Sequence, residues 1–265
     1  MIGPPDTASI RGMRTTVTPR AAVDAITVRP FLPTGTDERV AGFGVMGLPF
    51  RSGHYLAFRH FPASSFSPAY RSVWHRDPSG TWTFYATTPA ELSCSRYFST
   101  ATTVPAAQCD IAMTWAGPWS LAITIPGLLE WTVDTTDTAV TRTMSRVGRS
   151  LPERAWASRA LLEGMGRVAG PLLAGGQIRL AGSAPNGQRF RIAPRQMWAV
   201  SRSTAVLAGV DLGDVAPLAE QSRLADFRLP QRGVFVIGSA RFEVFDPARH
   251  RAGTQTAVSD RLTSC

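Results

Sequence analysis

Between residues 42 and 137 apolar and polar positions alternate in short runs rich in Trp, Phe, Tyr, Val and Thr, with Gly and Pro between them. A period of two bounded by turn formers predicts a succession of antiparallel strands. The clearest case is a hairpin in which residues 70–76 and 81–88 flank Asp77-Pro78-Ser79-Gly80. Proline suits the second position of a type I turn, and glycine the left-handed position that follows. With a glycine bulge at Gly80, Trp74, Trp82 and Phe84 share one face, and Val73, His75 and Tyr85 take the other. Further strands are expected at 110–115, 119–125 and 128–135, forming a meander.

The period then changes. Over 138–150, Val140, Met144 and Val147 recur at helical spacing while Arg142, Arg146 and Arg149 fall on the opposite side, which predicts an amphipathic basic helix. Ser150-Leu151-Pro152-Glu153 looks like the capped start of a second helix, whose apolar stripe of Leu161, Met165, Val168 and Leu172 runs until Gly170-Pro171 and Gly175-Gly176 stop it. Strands resume at 177–183, turn through Pro185-Asn186-Gly187 into 188–193, and continue at 195–201, 205–210 and 233–245. The expected organisation is a flexible leader (1–40), an N-terminal β half (41–137), a helical connector (138–175), a C-terminal β half packed on the first (176–246) and a flexible tail (247–265). The fold class is mainly β: two antiparallel sheets or partial barrels joined by the connector.

Composition alters this picture in two places. All 28 basic residues are arginine and Asn186 is the only asparagine, in a chain of 265 residues with net charge +9. Avoidance of AT-rich codons explains that bias, so the charge is poor evidence for nucleic acid. The arginines are dispersed rather than gathered in a patch beside aromatic residues, which also argues against a nucleic-acid partner. Residues 1–30 hold no uninterrupted apolar run, and no window reaches the roughly 18–20 apolar residues that cross a bilayer. Cys94, Cys109 and Cys265 make neither a CxxC pair nor a dense framework. A cytoplasmic location with reduced thiols is the expectation.

Candidate chemistry is sparse. Gly42-Phe43-Gly44-Val45-Met46-Gly47 matches GxGxxG, yet Leu48-Pro49-Phe50 follows where a dinucleotide site needs a helix. His54, His60, His75 and His250 lack zinc-ligand spacing, so neither metal nor cofactor is expected. Strand alternation puts His54, Leu56, Phe58 and His60 on one side and Tyr55, Ala57, Arg59 and Phe61 on the other. His54, His60 and His75 are therefore candidate acid/base groups, joined by Asp110 and Glu130 if those carboxyls turn inward. Phe58, Trp74, Trp82, Phe84, Trp115 and Trp131 are candidate walls of an apolar ligand site. Arg142, Arg146 and Arg149 form either a solvated helix face or a surface for anions, a membrane among them.

With two β halves over about 40–245, and strand segments such as Ser72-Val-Trp-His and Trp119-Ser-Leu-Ala-Ile-Thr-Ile-Pro-Gly, the chain resembles the tandem lipocalin-like proteins of the carotenoid-hydratase (hydroxyneurosporene synthase) type. The resemblance implies a barrel-type cavity for a hydrophobic small molecule such as an isoprenoid, lipid or polyketide. It also implies the alternative of cofactor-independent hydration, isomerisation or cyclisation. No diagnostic motif carries over a catalytic residue. A third alternative is a membrane-surface or protein-interaction module that uses the basic helix.

Overall fold

The computed structural model describes residues 17–253. Helix α1 (Pro19–Val28) opens the chain, capped by Thr18, whose side chain accepts from the Ala21 amide. Residues expected as leader are thus ordered from there on. Next come β1 (Glu38–Pro49), β2 (Tyr55–Ser64), β3 (Tyr70–Arg76), β4 (Trp82–Ala86), a short α2 (Ser95–Phe98), β5 (Ala107–Gln108), β6 (Ala112–Trp115), β7 (Ser120–Ile125) and β8 (Leu129–Thr136). The helical segment contributes α3 (Ala139–Ser150) and α4 (Arg159–Leu172). The remainder is β9 (Ala181–Ser183), β10 (Arg189–Leu207), β11 (Val210–Asp211), β12 (Arg223–Leu224), β13 (Phe227–Arg228) and β14 (Val234–Phe242).

The two β halves do not form a sheet each. One sheet runs β5-β4-β3-β2-β1-β14-β10-β8-β7-β6, with β9 and β11 also paired to β10, and β12-β13 make a small second sheet. The last strand pairs with the first, Phe43 opposite Ile237, and the 19-residue β10 lies between β14 and β8. Strands from both halves therefore interleave. The expected break at Pro194 is instead a bulge between Pro194 and Gln196 inside β10, a place where the missing N–H is tolerated.

The sheet curls into a half-barrel. Trp115 on β6 and Phe235 on β14 stand four strand spacings apart, about 19 Å on a flat sheet, yet their ring centroids are 6.0 Å apart. The inner face is packed with Phe43, Val45, Phe58, Leu121, Trp131, Trp198 and Phe235, and Ala22 and Val23 of α1 close onto it. The outer face is buried too. There Tyr55, Tyr70, Trp74, Trp82 and Phe84 pack against Tyr97 and Phe98 of α2 and against Phe190 and Phe242. Burial on both faces is why β1 and β2 are apolar at nearly every position rather than at alternate ones.

The 70–86 hairpin has the expected register. Trp74 lies opposite Phe84 and His75 opposite Thr83. Gly80 has φ 99°, and Asp77 Oδ1 accepts from the Thr81 amide. The second hairpin turns at Gly187, φ 96°, from β9 into β10. The GxGxxG segment lies within β1. A Cβ on Gly44 would sit 2.0 Å from the Phe58 carbonyl oxygen, so this glycine serves close approach of two strands rather than a phosphate. The second helix starts eight residues later than expected. Ser150 ends α3, and Ser158 caps α4 by accepting from the Leu161 amide.

Candidate functional site

The outer face holds a cavity of about 560 Å³. Its floor is the sheet, through Met46, Ile192, Met197, Val234 and Val236, and α3 and α4 supply Met144, Leu161 and Met165 opposite. The two helices are seated differently. Alternation in α3 suggested that Val140, Met144 and Val147 would face the core, but the fully covered stripe is Thr141, Ser145 and Gly148. Ser145 Oγ accepts from the Met197 amide at 2.9 Å and donates to the Met197 carbonyl at 3.2 Å. A Cβ on Gly148 would stand 2.6 Å from the Pro194 oxygen. Small residues thus bring α3 against β10, which leaves Met144 and Val147 to line the cavity. α4 is held farther along, with Gly166 and Gly170 close to the Ile178 and Gly176 carbonyls. The rim retains exposed apolar residues: Val147 is 46% exposed, Val168 60% and Leu172 53%.

Arg59 stands where this cavity meets an inner chamber of about 70 Å³ lined by Tyr70, Trp74, Cys94, Tyr97 and Phe98. It reaches that point through strand parity, since its neighbours Phe58 and His60 face inward. A register irregularity between Val45 and Leu48 lifts β1 out of its ladder with β2. The guanidinium donates to the carbonyls of Val45, Met46 and Phe58 and lies 5.0 Å from the centre of the Trp74 ring. It is 4% exposed. Among the described residues no carboxylate lies within ion-pair distance of it. The ionisable groups that act on it are Cys94, Tyr55 and Tyr70, and burial lowers its own pKa to about 10. Those neighbours are neutral near pH 7. Burial pushes the Cys94 thiol up to about 11 and raises both tyrosines well above their ordinary value.

The rest of the chamber is fixed by polar contacts. Tyr70 Oη and Cys94 Sγ are 3.2 Å apart. Tyr97 donates to Glu38 Oε2 at 2.6 Å, and Arg96 pairs with the same carboxylate at 2.9 Å, which ties α2 to β1. Trp74 Nε1 is buried and has no hydrogen-bond partner. Neither Arg59 nor Cys94 was singled out by sequence reasoning. The available signal was an arginine amid the apolar run Tyr55-Leu-Ala-Phe-Arg-His-Phe, at a parity shared with aromatic residues.

The expected site residues are not assembled around this cavity. His54 Nδ1 and His75 Nε2 are 2.9 Å apart, near the Asp77 turn, because Leu56 pairs with His75 and so puts the two rings at the same end of β2 and β3. His60 lies farther along the inner side, its ring edge-on to Phe43 at 5.0 Å. Asp110 and Glu130 are exposed, so the inward turn they would need does not occur. Phe58, Trp131 and Trp115 belong to the packed interior. Trp82 and Phe84 are stacked within the outer core. Of the six expected walls, Trp74 alone lines the inner chamber or the main cavity. Arg142, Arg146 and Arg149 are exposed along α3, where Arg142 lies 3.5 Å from Asp137. Among the described residues, no group of three or more His, Cys, Asp or Glu residues is arranged to hold a metal ion. No helix of the described residues is long and apolar enough to cross a membrane.

No family model matches the chain, and no curated protein does. Solved structures similar to it include acetoacetate decarboxylase from Legionella pneumophila subsp. pneumophila str. Philadelphia 1, at 9% identity over 81% of this chain and 89% of that one, TM-score 0.36. Another acetoacetate decarboxylase structure is similar at 9% identity over 88% of this chain and 94% of that one, TM-score 0.41. Likeness at this level carries no argument about chemistry; the barrel-like architecture stands on the sheet described above.

Proposed function

We propose that this protein binds a hydrophobic small molecule, of the isoprenoid, lipid or polyketide kind, in the cavity between the outer face of the sheet and helices α3 and α4. The supporting observation is a 560 Å³ space walled by methionine, leucine, valine and isoleucine side chains. Pockets of this size and lining are the usual seat of small ligands. Methionines at positions 46, 144, 165 and 197 add flexible surface that adapts to irregular shapes. Binding is preferred over acid/base catalysis because the histidines lie on the other face of the sheet, while the titratable groups of the inner chamber are held protonated by burial.

The test is displacement of the neutral dye Nile red by a series of linear alcohols. Each buried methylene contributes about 0.8 kcal/mol, so Kd is expected to fall about three- to fourfold per added carbon until the cavity is full. Met165→Trp, which places an indole in the cavity from α4, is expected to abolish dye binding while circular dichroism and Tm are retained. Absence of dye binding to the native protein would sink the reading.

A second reading concerns the rim. Exposed Val147, Val168 and Leu172 lie on the same two helices as Arg146, Arg149 and Arg167. That combination suits contact with an anionic lipid surface from which an apolar ligand is drawn. Salt-sensitive co-sedimentation with phosphatidylserine vesicles, lost in Val168→Asp, is the expected outcome. Equal sedimentation with neutral vesicles would contradict it.

A further inference from the structure

We propose that the ligand is an apolar monocarboxylic acid that enters head first and seats its carboxylate on Arg59 in the inner chamber. This rests on the cavity reading above and adds the ligand's class and orientation.

Two independent observations carry it. The first is charge. Arg59 is a buried cation with no carboxylate partner among the described residues, and its three hydrogen bonds go to neutral carbonyls. A charge taken from water without an opposite charge is costly, and Arg59 lines both the main cavity and the inner chamber. The second is an unused donor. Trp74 Nε1 is buried with no acceptor, although buried indole N–H groups usually find one, and Trp74 lines the same chamber. Tyr70 also lines the chamber, with a hydroxyl engaged by the Cys94 thiol at 3.2 Å, a weak partner that a carboxylate oxygen would outcompete. An anionic acceptor in this chamber would meet the cation, with Trp74 and Tyr70 as the further donors that line it.

Charge favours a carboxylate over a phosphate. One arginine balances one negative charge, whereas a phosphate monoester carries nearly two at neutral pH. The chamber, about 70 Å³, has room for a carboxylate group. Arg59 is the one charged residue lining the chamber; the apolar body of the ligand then lies in the 560 Å³ cavity, whose other charged lining residues are Arg179 and Arg228.

The experiment is displacement of Nile red by matched pairs, octanoate against octan-1-ol and octyl phosphate, from the full chain at pH 7.5. A charge-assisted hydrogen bond is stronger than a neutral one by enough to give about a ten- to hundredfold preference for octanoate over octan-1-ol. Arg59→Met is expected to erase that preference while retaining alcohol binding. Because that variant also removes bonds to β1 and is at risk of misfolding, Trp74→Phe supplies a milder change and is expected to reduce the preference at least threefold. If acid and alcohol compete equally in the native protein, the cavity reading survives and the carboxylate site is overturned. A preference for octyl phosphate overturns the carboxylate in particular. If no compound displaces the dye, or the dye does not bind, the cavity reading fails and this inference with it.

Discussion

His60 and Arg59 are adjacent on β2, face opposite sides of the sheet, and experience opposite demands. Arg59 keeps its charge through three carbonyls, whereas His60 has a buried Nδ1 with no partner and is held neutral. Burial, helped by the nearby Arg71 charge, lowers the His60 pKa to about 4. Burial followed by the charge of His54 does the same for His75, against a smaller upward pull from Asp77. In the unfolded chain both rings titrate near 6.5. The unfolded state therefore binds more protons below that pH, and stability present above about pH 6.5 is lost as the pH falls toward 4. Urea unfolding at pH 7.5 and pH 5 should show a loss on the order of 1–2 kcal/mol per histidine at the lower pH. His60→Leu is expected to leave stability at pH 7.5 unchanged or higher, since it removes an unsatisfied polar atom, and to shrink the acid loss. An unchanged acid loss in that variant would assign the effect elsewhere.

At the scale of elements, α3 and α4 show how the same residue type acts in opposite senses. Glycine inside a helix costs about 0.5–1 kcal/mol relative to alanine through backbone entropy. Gly164→Ala, where an added Cβ meets nothing within 4 Å, should recover that amount. Gly148→Ala should destabilise by about 1–3 kcal/mol, because its Cβ would press on the Pro194 and Arg195 carbonyl oxygens at 2.6 and 2.8 Å and lift α3 from β10. Denaturant midpoints moving in opposite directions are the expected result. The hydrophobic stripe of α3 was legible in sequence, but its packing face was not. Thr141, Ser145 and Gly148 give no apolar signal, and their role depends on β10 lying close enough to touch.

For the whole molecule, the first and last strands meet at the middle of the sheet, because β14 joins β1 to β10. Fragments 38–137 and 176–246, expressed alone, should remain unfolded by circular dichroism, each lacking the neighbours that bury its strands. Native-state hydrogen exchange should be slowest in β1, β14 and β10 and faster in α4, which packs through Leu162 on a small cluster with Trp156, Leu180 and Ala193 and borders a cavity along the rest. Exchange in α4 as slow as in β14 would mean that the space beneath it is closed.

Local order was within reach of the sequence. The hairpin at Asp77-Pro78-Ser79-Gly80, the turn at Asn186-Gly187, the meander from β6 to β8 and the extent of α3 follow from turn chemistry and periodicity, which act between residues close along the chain. What tertiary structure decided is non-local. Whether the strands of two halves form two sheets or one depends on β14 finding both β1 and β10, a pairing no local pattern encodes. The site followed the same rule. His60, Trp115 and Trp131 were taken up by a packed interior, and a cavity opened on the opposite face, where small residues draw α3 onto β10. Arg59 lines it because a bulge in the neighbouring strand freed carbonyls to hold a charge that no carboxylate among the described residues balances.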